Sequence, residues 1–258
     1  MNVVPPRTWV LRPLVWFATA SMATTILHEL AHASASFALG VRSTLFNYSA
    51  DLALTPAQAA TNLPAIIQVA GPAFCLAWGA LAWILYRRAR GSVADLPLLY
   101  LAVFGIGTFC GNLMSAAFVG DFSAIAVALG LPMAVRYAIA VVGALSVAAL
   151  HFWAGCELVR WIPARVGRTA GMLGIVALPV VIGTGAVILV NQPMPSASVN
   201  ARVVEAAVWL FAAVGALVAR RPAQSERGSL DLRWADGAAI LLAILVVRLT
   251  VRGIPFVP

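Results

Sequence analysis

The chain has 258 residues, of which 62% are hydrophobic and only 10% charged; a soluble domain carries roughly 45–50% apolar and about 25% charged residues, so an ordinary soluble fold is excluded. All 17 basic residues are arginines, set against nine acids for a net charge of +8. Most of them lie in short gaps between apolar runs, which predicts anchoring beside anionic lipid and no nucleic-acid partner.

The apolar runs are about 20 residues long, enough to cross roughly 30 Å of hydrocarbon at about 1.5 Å per residue. Backbone in lipid must satisfy its own hydrogen bonds, so each run is expected to be a helix. The first extends from Val10 to Leu39 and stops at Gly40. Arg7 and Arg12 ahead of Ala18-Thr19-Ala20 or Ser21-Met22-Ala23 imitate a signal peptide, but the apolar helix runs on past both points and retention is expected. A more polar connection follows, Val41 to Leu63, with Arg42, Asn47, Tyr48, Asp51 and Asn62. At more than about 20 residues it is long for a compact bundle, and long loops are often functional.

Further spans are predicted from Pro64 to Tyr86, closed by Arg87, Arg88 and Arg90; from Leu96 to Val119, ending at Gly120-Asp121; and from Pro132 to Val159, followed by Arg160, Arg165 and Arg168. Two more run from Ala170 to Val190, broken by Asn191-Gln192-Pro193, and from Arg202 to Val218. The segment Arg220 to Asp236 is the most soluble, and a last, short run covers Gly237 to Val251. The expected fold is therefore all-α, a polytopic membrane helix bundle of six or seven transmembrane helices with seven favoured, in a multi-pass protein of the cell membrane. No internal repeat and no separate soluble domain is visible. The arginine groups at 7 and 12, 87 to 90, 160 to 168 and 220 to 233 alternate with poorer loops, which places the amino terminus in the cytoplasm. Cys75, Cys110 and Cys156 lie inside apolar runs without CxxC spacing and read as packing residues.

The chemistry is concentrated in His28-Glu29-Leu30-Ala31-His32. Histidines four apart project from one face of a helix and can grip one metal ion together, and Glu29 is close enough to act as general base toward water. Only three histidines exist, and two of them frame the single glutamate of the first 150 residues. Ser21, Thr25, His28, His32 and Ser36 form a polar stripe on an otherwise apolar helix. A carboxylate deep in a membrane costs at least about 2.5–3.5 kcal/mol, so Glu29 is expected to face protein or water and to have a role. A catalytic zinc usually takes three protein ligands and keeps a fourth position open. Candidates for the third are Asp121, Glu157, His151 and Asp51; Glu157 also has the option of pairing with Arg160 one turn on.

These residues, with Ala70-Gly71-Pro72 in the next span and Gly111-Asn112-Leu113-Met114 leading to Gly120-Asp121, resemble the site-2 protease family of membrane-embedded zinc metalloproteases. The likeness covers roughly residues 15 to 130. It implies zinc held by His28, His32 and Asp121, Glu29 as the base, and a transmembrane protein segment as substrate. It also implies a protease-like membrane core at 1–130, with 131–258 as accessory helices of the same membrane domain, and a membrane-associated β-hairpin in the connection from Val41 to Leu63 that can pair with an extended substrate. The chain departs from the family at Ala73-Phe74-Cys75, where an asparagine usually follows Gly-Pro, at Leu113 in place of a proline, and at Phe122 in place of a glycine. The family's orientation would put the arginines at 87 to 90 outside, against the charge rule. Two other classes remain open: a haem-binding electron carrier with His32 and His151 as axial ligands, which leaves Glu29 unexplained, and a scaffold or transporter-like protein that keeps the pentad without activity.

Overall fold

The computed structural model describes residues 8–163, 166–220 and 232–258. Arg7, Arg165 and the arginines at 221 and 227 thus lie outside the described residues. The chain is mostly helical: α1 (Leu11–Ala38), α2 (Pro56–Ala59), α3 (Leu63–Arg88), α4 (Asp95–Met114), α5 (Asp121–Ala128), α6 (Met133–Leu158), α7 (Arg168–Met172), α8 (Leu178–Val190), α9 (Ser196–Val208), α10 (Leu210–Val218) and α11 (Trp234–Thr250). One π-helical turn, Leu173–Ala177, joins α7 to α8, so that Arg168–Val190 is one continuous helix, as is Ser196–Val218.

Five helices are long and apolar enough to cross a membrane: Leu63–Arg88, Asp95–Met114, Met133–Trp161, Arg168–Val190 and Ser196–Val218. This is a membrane protein. Its outer surface is apolar in the way lipid requires: Leu145, Val181 and Leu189 are each at least 66% exposed, a pattern that water would penalise. Asp95–Met114 ends five residues short of the expected Val119, because residues 115–120 turn back in short-range hydrogen bonds such as Phe118 N–H to the Ser115 carbonyl.

Small residues bring the helices together where lipid gives no hydrophobic drive for association. A β-carbon on Gly105 of α4 would fall 2.7 Å from the Gly79 Cα of α3, and Gly155 and Gly215 likewise let α6 and α10 touch backbone to backbone. Around these contacts lies an aromatic core in which Phe17 of α1 meets Phe104 of α4 and Trp209, between α9 and α10, edge to face at 5.1 and 5.2 Å.

The connection Val41 to Leu63 contains strands β1 (Arg42–Leu45) and β2 (Ala50–Ala53), which pair antiparallel. A third strand, β3 (Ile254–Phe256), pairs antiparallel with the other edge of β1, giving the order β2-β1-β3. The hairpin turn is docked by Asn47, whose amide donates to the Asn191 carbonyl and Asn191 Oδ1 at 3.0 and 2.9 Å, at the end of α8. The helical class thus holds, with a small sheet at one end that the residues alone did not reveal.

Arginines from distant parts of the chain gather at the opposite end. Arg90 and Arg160 both bind Glu157, at 3.4 and 3.0 Å; Arg168 donates to the Leu217 and Ala219 carbonyls. Arg12 was expected to be a surface anchor and Asp236 part of the most soluble segment. Both are instead buried, 2% and 3% exposed: Arg12 Nε meets Asp236 at 3.1 Å, Trp16 donates to the same carboxylate at 2.7 Å, and Arg12 also donates to the Val93 carbonyl. A buried charge needs a partner and further hydrogen bonds, and this cluster ties the start of α1 to the start of α11.

Candidate metal centre

On α1 the polar stripe is satisfied step by step. Thr25 donates to the Ser21 carbonyl at 2.9 Å, and Ser36 donates to Ser43 of β1 at 2.6 Å, pinning the sheet against the end of the helix. Between them His28 and His32 are buried, one turn apart, with rings edge to face at 4.7 Å. Their Nε2 atoms stand 3.1 Å from each other.

Asp121 is the first residue of α5, and its Oδ2 lies 2.9 Å from His28 Nε2 and 3.4 Å from His32 Nε2. Zinc bonds of about 2.0–2.2 Å place tetrahedral ligand atoms about 3.3 Å apart, so these three separations match three corners of one coordination tetrahedron. The three groups together could hold a metal ion. Outer contacts orient them for it. His32 Nδ1 sits 2.8 Å from the Ile67 carbonyl of α3; a carbonyl only accepts, so Nδ1 carries the hydrogen and the neutral ring's lone pair is on Nε2. His28 Nδ1 faces Cys75 Sγ at 3.5 Å.

Gly71 forms the floor. A β-carbon there would overlap His32 Nε2 and lie 2.8 Å from His28 Cε1, so any side chain would fill the space on which the imidazoles converge. Pro72 follows inside α3 and has no N–H to give the Gln68 carbonyl four residues back; the Ile67 carbonyl used by His32 precedes that gap in the ladder. Gly120 has φ +97°, a left-handed conformation open to glycine, and a β-carbon there would press within 3.1 Å of Ser115 Oγ. That turn delivers Asp121 to the histidines.

Glu29 is half-buried. At 3.6 residues per turn it lies about 60° around α1 from His32, and it is within electrostatic reach of His28, His32, Asp121 and Arg202. Arg202 of α9 donates to Thr25 at 2.6 Å and pairs with Glu205 at 2.6 Å. An open cleft of about 610 Å³, lined by Thr61, Asn62, Pro64, Gly120, Ser123 and Ala124 among others, adjoins Asp121.

The other candidate ligands lie elsewhere. Asp51 is exposed on β2 and accepts from Ser49. Glu157 receives Tyr86, Arg90 and Arg160. His151 donates from Nδ1 to the Val147 carbonyl at 2.8 Å and packs against Trp209. Cys75, Cys110 and Cys156 are free thiols, the first two buried. The sequence alone assigned no role to Gly71, although Ala70-Gly71-Pro72 stood out as a motif. It gave no sign of the Ile67 carbonyl, because every residue offers one. No family model, curated protein or solved structure matches this chain.

Proposed function

We propose that this protein is an intramembrane zinc metalloprotease that hydrolyses peptide bonds in or near transmembrane segments of other membrane proteins. The observation that carries this reading is the convergence of His28, His32 and Asp121 at 2.9–3.4 Å on the helix that also bears Glu29, a carboxylate with no ion-pair partner within 4 Å among the described residues. When bound, zinc supplies Lewis acidity and brings the pKa of water to about 7.

His28, His32 and Asp121 bind and orient through Nε2, Nε2 and Oδ2. Glu29 accepts a proton from the attacking water as its oxygen bonds to the scissile carbonyl carbon; as the C–N bond breaks, Glu29 returns that proton to the leaving amine. The apolar bundle excludes bulk water, which strengthens each of these electrostatic interactions. The free edge of β2, on the side of the sheet away from β3, can hold a substrate segment extended, the form in which its backbone is open to attack.

In this reading α1 and α11 also span the cell membrane, bringing the total to seven. At 28 residues α1 is about 42 Å long, and its polar stripe rather than its length sets it apart from the five apolar spans. The 17 residues of α11 extend about 25 Å.

Glu29→Gln is expected to retain zinc at the parent stoichiometry while cleavage of a model transmembrane peptide falls by about 10²–10⁴-fold. Metal analysis alongside the cleavage assay checks both halves, and normal cleavage by this variant would sink the assignment of the base.

A further inference from the structure

Asp121 is the one ligand of the three that α1 does not supply. It starts a helix of only eight residues, too short to hold its own geometry, behind a connection of six residues whose path is set by turns. No side chain caps that helix. A residue from the following helix grips the chain on both sides of the carboxylate. Arg136, in the first turn of α6 and half-buried, donates from Nε to the Ala116 carbonyl at 3.1 Å and from its terminal nitrogen to Ser123 Oγ at 2.9 Å. One anchor precedes Asp121 and the other follows it.

We infer that Arg136 is a positioning residue for the metal centre: by clamping Ala116 and Ser123 it fixes the place from which Asp121 meets His28 and His32. The inference rests on the metal-centre reading above. A guanidinium is suited to the task because its donors sit in a rigid planar fork, so two bonds are made at a fixed relative geometry; a lysine ammonium is a point charge that cannot reproduce both. A ligand set must be held within about 0.5 Å of its productive geometry, and a brace on both sides of Asp121 serves that demand. It also follows that α6, in the accessory half of the chain by sequence, belongs functionally with the metal-binding half.

The test uses the full chain in detergent, with zinc affinity measured by competition against a chelator and the electronic spectrum of the Co2+ form as a report on ligand geometry. Arg136→Ala is expected to weaken zinc binding about 10-fold, the lower end of what outer partners of metal ligands contribute, and to change the Co2+ spectrum while helical content stays the same. Ser123→Ala removes one of the two anchors and should shift both readouts in the same direction by less. Arg136→Lys should fall between the parent and Arg136→Ala. Arg168→Ala removes a comparable arginine clasp on the Leu217 and Ala219 carbonyls and should leave zinc affinity unchanged.

Parent-like affinity and spectrum in both Arg136→Ala and Ser123→Ala would overturn the inference while leaving the metal centre intact, and so would an equal loss in Arg168→Ala. If Arg136→Ala does not fold, Ser123→Ala and Arg136→Lys decide by the same readouts. A parent protein that takes up no zinc would instead remove the metal reading, and this inference with it.

Discussion

Two carboxylates inside this bundle have opposite surroundings. Glu157, 5% exposed, is met by donors: the Tyr86 hydroxyl and the guanidinium groups of Arg90 and Arg160. Its charge is balanced by permanent cations, so the cluster is complete as it stands. Asp121 is met by two imidazoles whose Nδ1 atoms face outward to the Ile67 carbonyl and Cys75, leaving two Nε2 atoms and a carboxylate oxygen crowded together. With both rings neutral and protonated on Nδ1, that arrangement offers lone pairs and lacks a fixed cation. Buried polar groups are normally matched donor to acceptor. With both imidazole lone pairs turned inward such a set could hold a cation, whereas the Glu157 cluster is a staple between helix ends.

The contrast can be broken from either side. The largest effect is expected from Asp121→Ala, which removes a ligand outright: zinc affinity should drop by more than the about 10- to 100-fold typical of outer partners, with the thermal stability of the metal-free protein scarcely changed. Chelator competition and a melting curve taken without metal measure the two halves. Next comes Gly71→Ala, which keeps every ligand and fills the space between them. About 10- to 100-fold weaker binding is expected from displaced imidazoles, and affinity equal to the parent would show that the floor of the site is not where the geometry puts it. The smallest change is expected from Glu157→Gln. It should destabilise the fold by about 1–2 kcal/mol through the lost charged acceptor for Tyr86, with zinc affinity unmoved; a fall in zinc affinity would mean that the two clusters are not independent.

Five of the expected spans and the pentad were legible from residues because both are local. Lipid imposes a run of about 20 apolar residues wherever the chain crosses, and the four-residue spacing of His28 and His32 puts them on one helix face whatever surrounds them. The hairpin was expected from the resemblance and not from the residues, since Arg42–Leu45 and Ala50–Ala53 are four-residue strands with no long alternating pattern, and its third partner, Ile254–Phe256, comes from some 200 residues away. Arg12 and Asp236 misled for a related reason. An arginine near a span's start and an aspartate in a polar stretch look solvated one at a time, and their burial follows only from meeting each other.

By itself the sequence determined that the protein is a helical membrane protein and that one helix offers two imidazoles and a carboxylate on neighbouring faces, because hydrophobic length and helical periodicity act within a single segment. Among Asp121, Glu157, His151 and Asp51 composition and spacing could not choose, and only the family resemblance pointed to Asp121. The tertiary structure decided that of these four Asp121 approaches the histidines, that Gly71 leaves room for them, and that Arg136 bonds on both sides of the turn between α4 and α5. Such choices depend on distances between segments far apart in the chain, and those distances are fixed by how the helices pack.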